Sequence, residues 1–331
     1  MIKLMDCTLR DGANVVGKGF PKDLTLMMLE GLIAAGVPVI EFGNAGGIGA
    51  YEVAGFTQAE TDDAYIEMAQ PYLGKGSEIG MFLNAERYLE KSVAAAKNGH
   101  LDFLRVGVAA GDVAKALKPV RDIKAAGMKA FFASMKAYLL PPDALAEEAK
   151  QLEDAGLDMF TVMDSAGTMM PDEVAAYVEA LKKAVSIPVA FHGHNNLSMA
   201  AANALSAYKA GADMLDCGLM GMARSAGNCA TEVCAAFMQR LGEMQDIDLY
   251  ALLACVNELG AVMKERYEYH NPIPALDLVY GISGAHSSFG KLFKKVAEET
   301  GADLYKLIIK ASAIDRKKPS EELLHKVAAE C

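Results

Sequence analysis

Tryptophan is absent from the 331 residues, and aromatic side chains of every kind make up only 7%. Alanine, glycine and methionine take their place, a mixture that suits closely packed helices lying against a sheet. Positive charge is also short. Against 43 Asp and Glu stand 32 Lys and Arg, giving a formal net charge of −11. That balance argues against nucleic acid or an anionic membrane as the main partner, because either would favour a basic patch. A local basic pocket is still compatible with it. No apolar run reaches the roughly 18–20 residues that a membrane helix needs. The opening Met1-Ile2-Lys3-Leu4-Met5-Asp6 lacks the charged-then-apolar layout of a signal peptide. Cys7, Cys217, Cys229, Cys234, Cys255 and Cys331 include no C-x-x-C pair. Several sit in apolar periodic segments, where a free thiol behaves as a small hydrophobe, so reduced thiols and a cytoplasmic protein are expected.

What is present is a sizeable core, with 52% hydrophobic residues, enough for one large domain or a large domain with an appendage. Eight apolar, β-rich segments recur: Ile2–Leu9, Pro38–Phe42, Glu78–Leu83, Phe103–Val108, Lys129–Met135, Met159–Met163, Pro188–His192 and Met214–Leu219. Amphipathic helical patterns separate them, for example Lys22–Ala35, Glu86–Asn98, Asp143–Ala155 and Asp172–Val185. Gly36, Gly99, Gly127, Gly156 and Gly211 fall where helix C-terminal caps are wanted. Eight βα units predict an α/β fold, a (β/α)8 TIM barrel with a C-terminal helical extension; a doubly wound sheet is the runner-up.

A barrel places its chemistry at the C-terminal ends of the strands, and polar residues do gather there. Arg10 and Asp11 follow the first strand, Asn44 the second, Asn84 the third, and Asp164 with Ser165 the sixth. His192 and His194 end the seventh. The bland alternative for Asp164 and Ser165 is helix capping. After about residue 245 the βα rhythm stops, and 248–268, 288–300, 303–311 and 320–329 read as helices. Residues 1–265 are therefore expected to form the catalytic barrel. Residues 266–331 are expected to form a helical tail, too short for a core of its own, that covers the barrel or meets a partner. Asn271-Pro272-Ile273-Pro274 marks the joint, and Gly281–Ser288 reads as a small-residue loop able to bend over the site.

Two polar runs carry the chemistry: Asp6-Cys7-Thr8-Leu9-Arg10-Asp11-Gly12 and His192-Gly193-His194-Asn195-Asn196. At spacing two, the imidazoles of one strand share a face. With a carboxylate from the first run they can hold a divalent metal, so Asp11, His192 and His194 are the proposed ligands. Three protein ligands leave positions open for water and substrate. Mn²⁺, Mg²⁺, Co²⁺ and Zn²⁺ all suit this donor set. Arg10 is placed to stabilise an anion forming there; its bland alternative is an ion pair with Glu41. Cys7 lacks an adjacent base, which weighs against a nucleophilic role.

Asp6–Gly12 together with His192–Asn196 resembles the metal-dependent lyase and aldolase superfamily that includes hydroxymethylglutaryl-CoA lyase, isopropylmalate synthase and 4-hydroxy-2-oxovalerate aldolase. Residues 194–228, Asp164-Ser165-Ala166-Gly167, 284–289 and 295–308 are similar to the last of these, so the resemblance covers almost the whole chain. It implies a carbon–carbon lyase cleaving, or forming, a 4-hydroxy-2-oxo acid to pyruvate and an aldehyde. The 2-oxo acid would chelate the metal, with manganese the leading candidate, while Arg10 stabilises the enolate and Ser165 holds the substrate carboxylate. Three positions depart from the family pattern. Asn14 stands where the family has its histidine base, His286 where a tail tyrosine approaches it, and Asn44-Ala45-Gly46-Gly47 where H-G-D-G follows the second strand. Asn is no base at neutral pH, so His286 is the candidate to have taken that role. Asn44 becomes a candidate substrate contact, and the altered loop implies an altered aldehyde or acyl portion. An acyl-CoA lyase or Claisen-type synthase, a 2-oxo acid decarboxylase and a non-catalytic metal-binding subunit are the alternatives. The resemblance also implies a homodimer or larger assembly and an acylating aldehyde dehydrogenase as partner.

Overall fold

Each of the eight apolar segments becomes a strand: β1 Lys3–Asp6, β2 Val39–Phe42, β3 Glu78–Asn84, β4 Phe103–Ala109, β5 Lys129–Met135, β6 Met159–Asp164, β7 Val189–Gly193 and β8 Met214–Cys217. The computed structural model describes residues 2–269 and 275–331, with backbone only at 275, 277, 278 and 282. Every strand runs parallel to the next, and β8 closes on β1 through Leu4 opposite Leu215. The result is a closed (β/α)8 barrel with helices outside, as the alternating pattern predicted.

Side chains alternate along each strand and so sort into two layers. Ile40, Phe42, Leu104, Phe132, Phe160, Phe191 and Leu215 face outward and join helix residues such as Leu29, Val120 and Val178 in the main core. Met5, Val39, Phe103, Phe131, Met159, Ala190 and Met214 plug the barrel interior, where Phe103 and Phe131 stack at 4.7 Å. Two residues further along the same inward rows come Cys7, Glu41, Arg105, Thr161, His192 and Asp216, all buried. The interior thus changes from apolar to charged toward the mouth.

Four of the five predicted cap glycines adopt a positive φ; the exception is Gly99, at φ −79, where His100 takes the left-handed turn at φ 55. Gly99 answers a different need. A Cβ there would lie 2.2 Å from the Ile66 side chain, so glycine allows the two helices to approach.

Helix Leu249–Tyr267 packs into the main core through Leu252, Cys255, Leu259 and Met263, so the expected boundary at 265 falls in its last turn. Asn271-Pro272-Ile273-Pro274 lies outside the described residues. Helices Ala275–Ser283, Gly290–Thr300, Leu304–Ile314 and Glu321–Ala328 follow. The first of these occupies the start of the segment read as a loop, leaving Gly284–Phe289 as the turn over the mouth. Contrary to expectation, the tail has its own apolar cluster, built on Phe293, Val296, Leu307, Ile308 and Leu324. Amphipathic helices that pack on one another, and not only on the barrel, produce it. Polar ties join the tail to the barrel. Tyr138 donates to the Gly284 carbonyl at 3.3 Å, Lys136 donates to the Lys317 carbonyl at 2.9 Å, and Lys317 pairs with Asp112 at 3.3 Å. No helix among the described residues is long and apolar enough to cross a membrane.

Candidate active site

Asp11 lies in the tight turn after β1, and His192 and His194 end β7, so barrel closure brings residues distant in sequence together. Their ligand atoms all lie within 4.8 Å of one another. His192 Nε2 is 3.5 Å and His194 Nε2 3.8 Å from Asp11 Oδ2. The opposite ring nitrogens are held: His192 Nδ1 by Asp216 at 3.1 Å and His194 Nδ1 by the Gly227 carbonyl at 3.3 Å. Those outer contacts orient each ring and leave Nε2 turned toward Asp11, free to coordinate. His192 Nε2 is buried and has no hydrogen-bond partner, an orphan that a cation at this point would satisfy. The donor set and the orphaned nitrogen therefore fit a divalent metal. Asn228, which the sequence reading had passed over, donates to Asp11 Oδ2 at 3.1 Å, and its own oxygen is buried without a partner.

Electrostatics favour the ligand forms of Asp11 and His194. Burial pushes the Asp11 carboxyl up, but Arg10, His192 and Arg224 outweigh it and hold it well below the ordinary carboxylate range. Burial takes His194 down to about 3, so its imidazole is neutral and ready to coordinate. His192 goes the other way, because Asp11 and Asp216 overcome burial and raise it.

Arg10 makes the Glu41 ion pair that was its bland alternative. Its Nε donates to Glu41 at 2.6 Å and its NH1 pairs with Asp11 at 3.1 Å, which is the structural ion pair. NH2, however, is buried and has no partner. The guanidinium lies on the Phe82 ring, 4.9 Å from its centre. That ring has space because Gly107 sits beside it, where a Cβ would come within 2.1 Å. Below, Arg105 holds both oxygens of Glu41 at 2.7 Å and also pairs with Asp216. One buried network thus links Arg10 to the His192 ring. The sequence reading missed Arg105 and Asp216; the available signal was a lone charge at the inward position of an apolar strand. Cys7 lies against Arg105 at 3.4 Å. Burial and the Asp216 and Glu41 charges push its thiol well up, which disfavours the thiolate.

The remaining predicted residues spread around the mouth. Asn14 donates to the Asp11 carbonyl at 3.0 Å and accepts from Lys18 at 3.3 Å. Asn44 is fully buried, with its oxygen accepting from Gly46 N at 2.9 Å and its amide donating to the Phe56 carbonyl at 3.0 Å. Both ends of that side chain bracket its own loop. Ser165 Oγ accepts from Lys136 N at 2.9 Å. Asp164 does not take the expected capping role: its carboxylate accepts from Thr168 N and Met169 N and closes the turn after β6, while the N-cap of helix Pro171–Ala184 is Met170. His286, in the tail turn, is buried. Its Nδ1 meets Ser288 Oγ at 2.7 Å and Ser288 N at 3.2 Å. Burial, followed by the charges of Arg224, Lys136 and His194, keeps it well below the usual imidazole value and hence neutral.

Comparison with known proteins agrees with this geometry. A family model described as HMGL-like matches residues 1–258. An oxaloacetate decarboxylase of Mycobacterium tuberculosis is 33% identical over 305 residues, covering 92% of this chain and 89% of that protein. A 4-hydroxy-2-oxovalerate aldolase of Carboxydothermus hydrogenoformans is 31% identical over 330 residues, covering 99% and 97%. Among solved structures, the carboxyl transferase domain of Rhizobium etli pyruvate carboxylase with pyruvate superposes with a TM-score of 0.77 at 18% identity, covering 99% of this chain and 60% of that one. At that identity the likeness is one of fold.

Proposed function

The chain belongs to the HMGL-like family, and from that premise we propose that it is a divalent-metal-dependent aldolase, cleaving a 4-hydroxy-2-oxo acid to pyruvate and an aldehyde or running in reverse. The observation that carries this reading is the convergence of both Nε2 atoms on Asp11 beside the unpartnered NH2 of Arg10. Asp11, His192 and His194 would hold the metal, manganese first among the candidates, with the Asn228 oxygen available beside them. When bound, the ion supplies Lewis-acid polarisation of the 2-oxo acid. Arg10 donates from NH2 to the oxygen on which charge develops, and its ion pair with Glu41 keeps it from moving. Ser165 orients the substrate carboxylate.

In cleavage a base takes the C4 hydroxyl proton, C4–O becomes a carbonyl, and the C3–C4 electron pair passes to C3. The enolate of pyruvate is left, and a proton returned to C3 completes the product. We assign the proton transfer to His286. Nδ1 accepts from the Ser288 N–H at 3.2 Å and has Ser288 Oγ at 2.7 Å, so the ring would take up the proton at Nδ1 by way of the Ser288 hydroxyl. Asn14 keeps the former base position as a hydrogen-bonding bridge, and Asn44 belongs to its loop, not to the substrate. Helices beyond Tyr267 act as the cover of a catalytic barrel. The same reading includes a homodimer or larger assembly, a cytoplasmic setting and an acylating dehydrogenase to receive the aldehyde.

A second reading, loss of CO₂ from a 2-oxo acid, is favoured by the decarboxylase relative. One experiment addresses both: supply Mn²⁺ and a panel of 4-hydroxy-2-oxo acids plus oxaloacetate, then measure pyruvate and CO₂. Pyruvate with aldehyde supports the aldolase, and CO₂ from oxaloacetate alone supports the alternative. Release undiminished in Asp11→Asn would refute the assigned site.

A further inference from the structure

Four cations from four separate segments lie near one another in this acidic chain: Lys18 after β1, Arg87 after β3, Arg224 after β8 and Lys291 at the start of helix Gly290–Thr300. Among the described residues, no carboxylate comes within 4.0 Å of Lys18, Arg87 or Lys291. Arg224 meets a carboxylate at Asp11, 3.7 Å away. Lys18 and Arg87 share the Phe56 ring, at 4.7 and 5.9 Å from its centre. Arg87 also has its Nε buried without a partner. Asn14 ties the group to the metal carboxylate, since its oxygen is 3.3 Å from Lys18 Nζ and its nitrogen 3.4 Å from Asp11 Oδ1. Burial and then the charges of Arg224 and Lys291 pull Lys18 below the ordinary amine value. These cations therefore repel one another across one space. Lys115, Lys118 and Lys124, by contrast, are paired with carboxylates. Unpaired like charges held together cost free energy unless an anion joins them.

We propose that Lys18, Arg87, Arg224 and Lys291 form a subsite for a second anionic group, a carboxylate or a phosphate, carried by the substrate beyond the breaking C3–C4 bond. The inference rests on the aldolase reading and sharpens it: the aldehyde released is anionic rather than a neutral alkanal. A cationic grip on that group also disfavours its loss as CO₂, because departing CO₂ carries no charge for the cations to hold.

The test uses the Mn²⁺-loaded full chain in the synthetic direction. Pyruvate is offered with acetaldehyde, glyoxylate or glycolaldehyde phosphate, and pyruvate methyl-proton exchange is followed in parallel. An anionic acceptor is expected to exceed acetaldehyde about 100-fold in kcat/KM, and whichever anion leads identifies the group. That ratio is expected to fall roughly tenfold in Lys18→Gln and again in Lys291→Gln, mainly through KM. Inorganic phosphate is also expected to raise the melting temperature of the metal-free wild type more than that of the double variant. Exchange with acetaldehyde preferred, or a ratio unmoved by both variants, overturns the subsite and leaves the aldolase standing. Absence of exchange overturns the aldolase itself and the subsite with it.

Discussion

A single nitrogen shows how far a residue's role depends on its neighbours. His286 is neutral because burial and the Arg224 and Lys136 charges keep it so, and Ser288 sits on its Nδ1. His286→Ala is expected to lower aldolase kcat by roughly 10²–10⁴ while Mn²⁺ binding persists. Full turnover in that variant, with His192→Ala inactive, would remove His286 from the mechanism. Asp164 gives a test of stability against pH. Burial raises its carboxyl from 3.8 to about 6, against the pull of the Met169 and Thr168 N–H groups. The cost of its charge is therefore absent at low pH and complete above about pH 6, amounting to about 3 kcal/mol. Denaturant titrations near pH 4 and pH 7 should show wild type losing about that much relative to Asp164→Asn as pH rises. A constant offset between the two proteins would contradict it. The cluster of Asp11, His192 and His194 was legible because its motif is dense. Arg105 and Asp216 were not, because one charge in an apolar strand acquires meaning only when the barrel turns it inward onto Glu41.

At the level of elements, all eight strands could be read from apolar runs bounded by glycine-capped helices, to within a few residues at each end. Helix Ala275–Ser283 was missed because Gly281 and Ser283 look like loop residues, although the turn over the mouth begins only at Gly284. The tail's private core was missed for another reason. Periodicity reveals that a helix has an apolar face but not which neighbour will cover it. Phe293 is fully buried in that core. Phe293→Ala should cost about 3–5 kcal/mol. The loss should stay local, with hydrogen exchange rising in Gly290–Thr300, Leu304–Ile314 and Glu321–Ala328 while β4 and β5 keep their protection. Equal acceleration in strands and tail would mean that the two cores unfold as one.

Across the whole molecule, the Asp11, His192 and His194 cluster is tied through Asp216, Arg105 and Glu41 to the barrel strands, so a metal bound there should register as stability. Mn²⁺ at about 100 times its dissociation constant adds about 2.7 kcal/mol, or about 4 °C in a chain of this size. His192→Ala should abolish the shift in a thermal melt. Persistence of the shift would point to another group, such as the three buried thiols Cys217, Cys229 and Cys234, whose sulfurs also lie within 4.8 Å of one another. Closure of β8 on β1 pairs Lys3 with Met214 and Asp6 with Cys217, the two ends of the barrel sequence. During synthesis β1 is made first and must wait, its edge uncovered, until the final strand leaves the ribosome. Asp11 cannot meet His192 before then, and His286 and Lys291 emerge later still. Metal uptake at this cluster would therefore wait for the barrel to close, and a nascent chain stalled short of Asp216 would have an open edge in place of the candidate site.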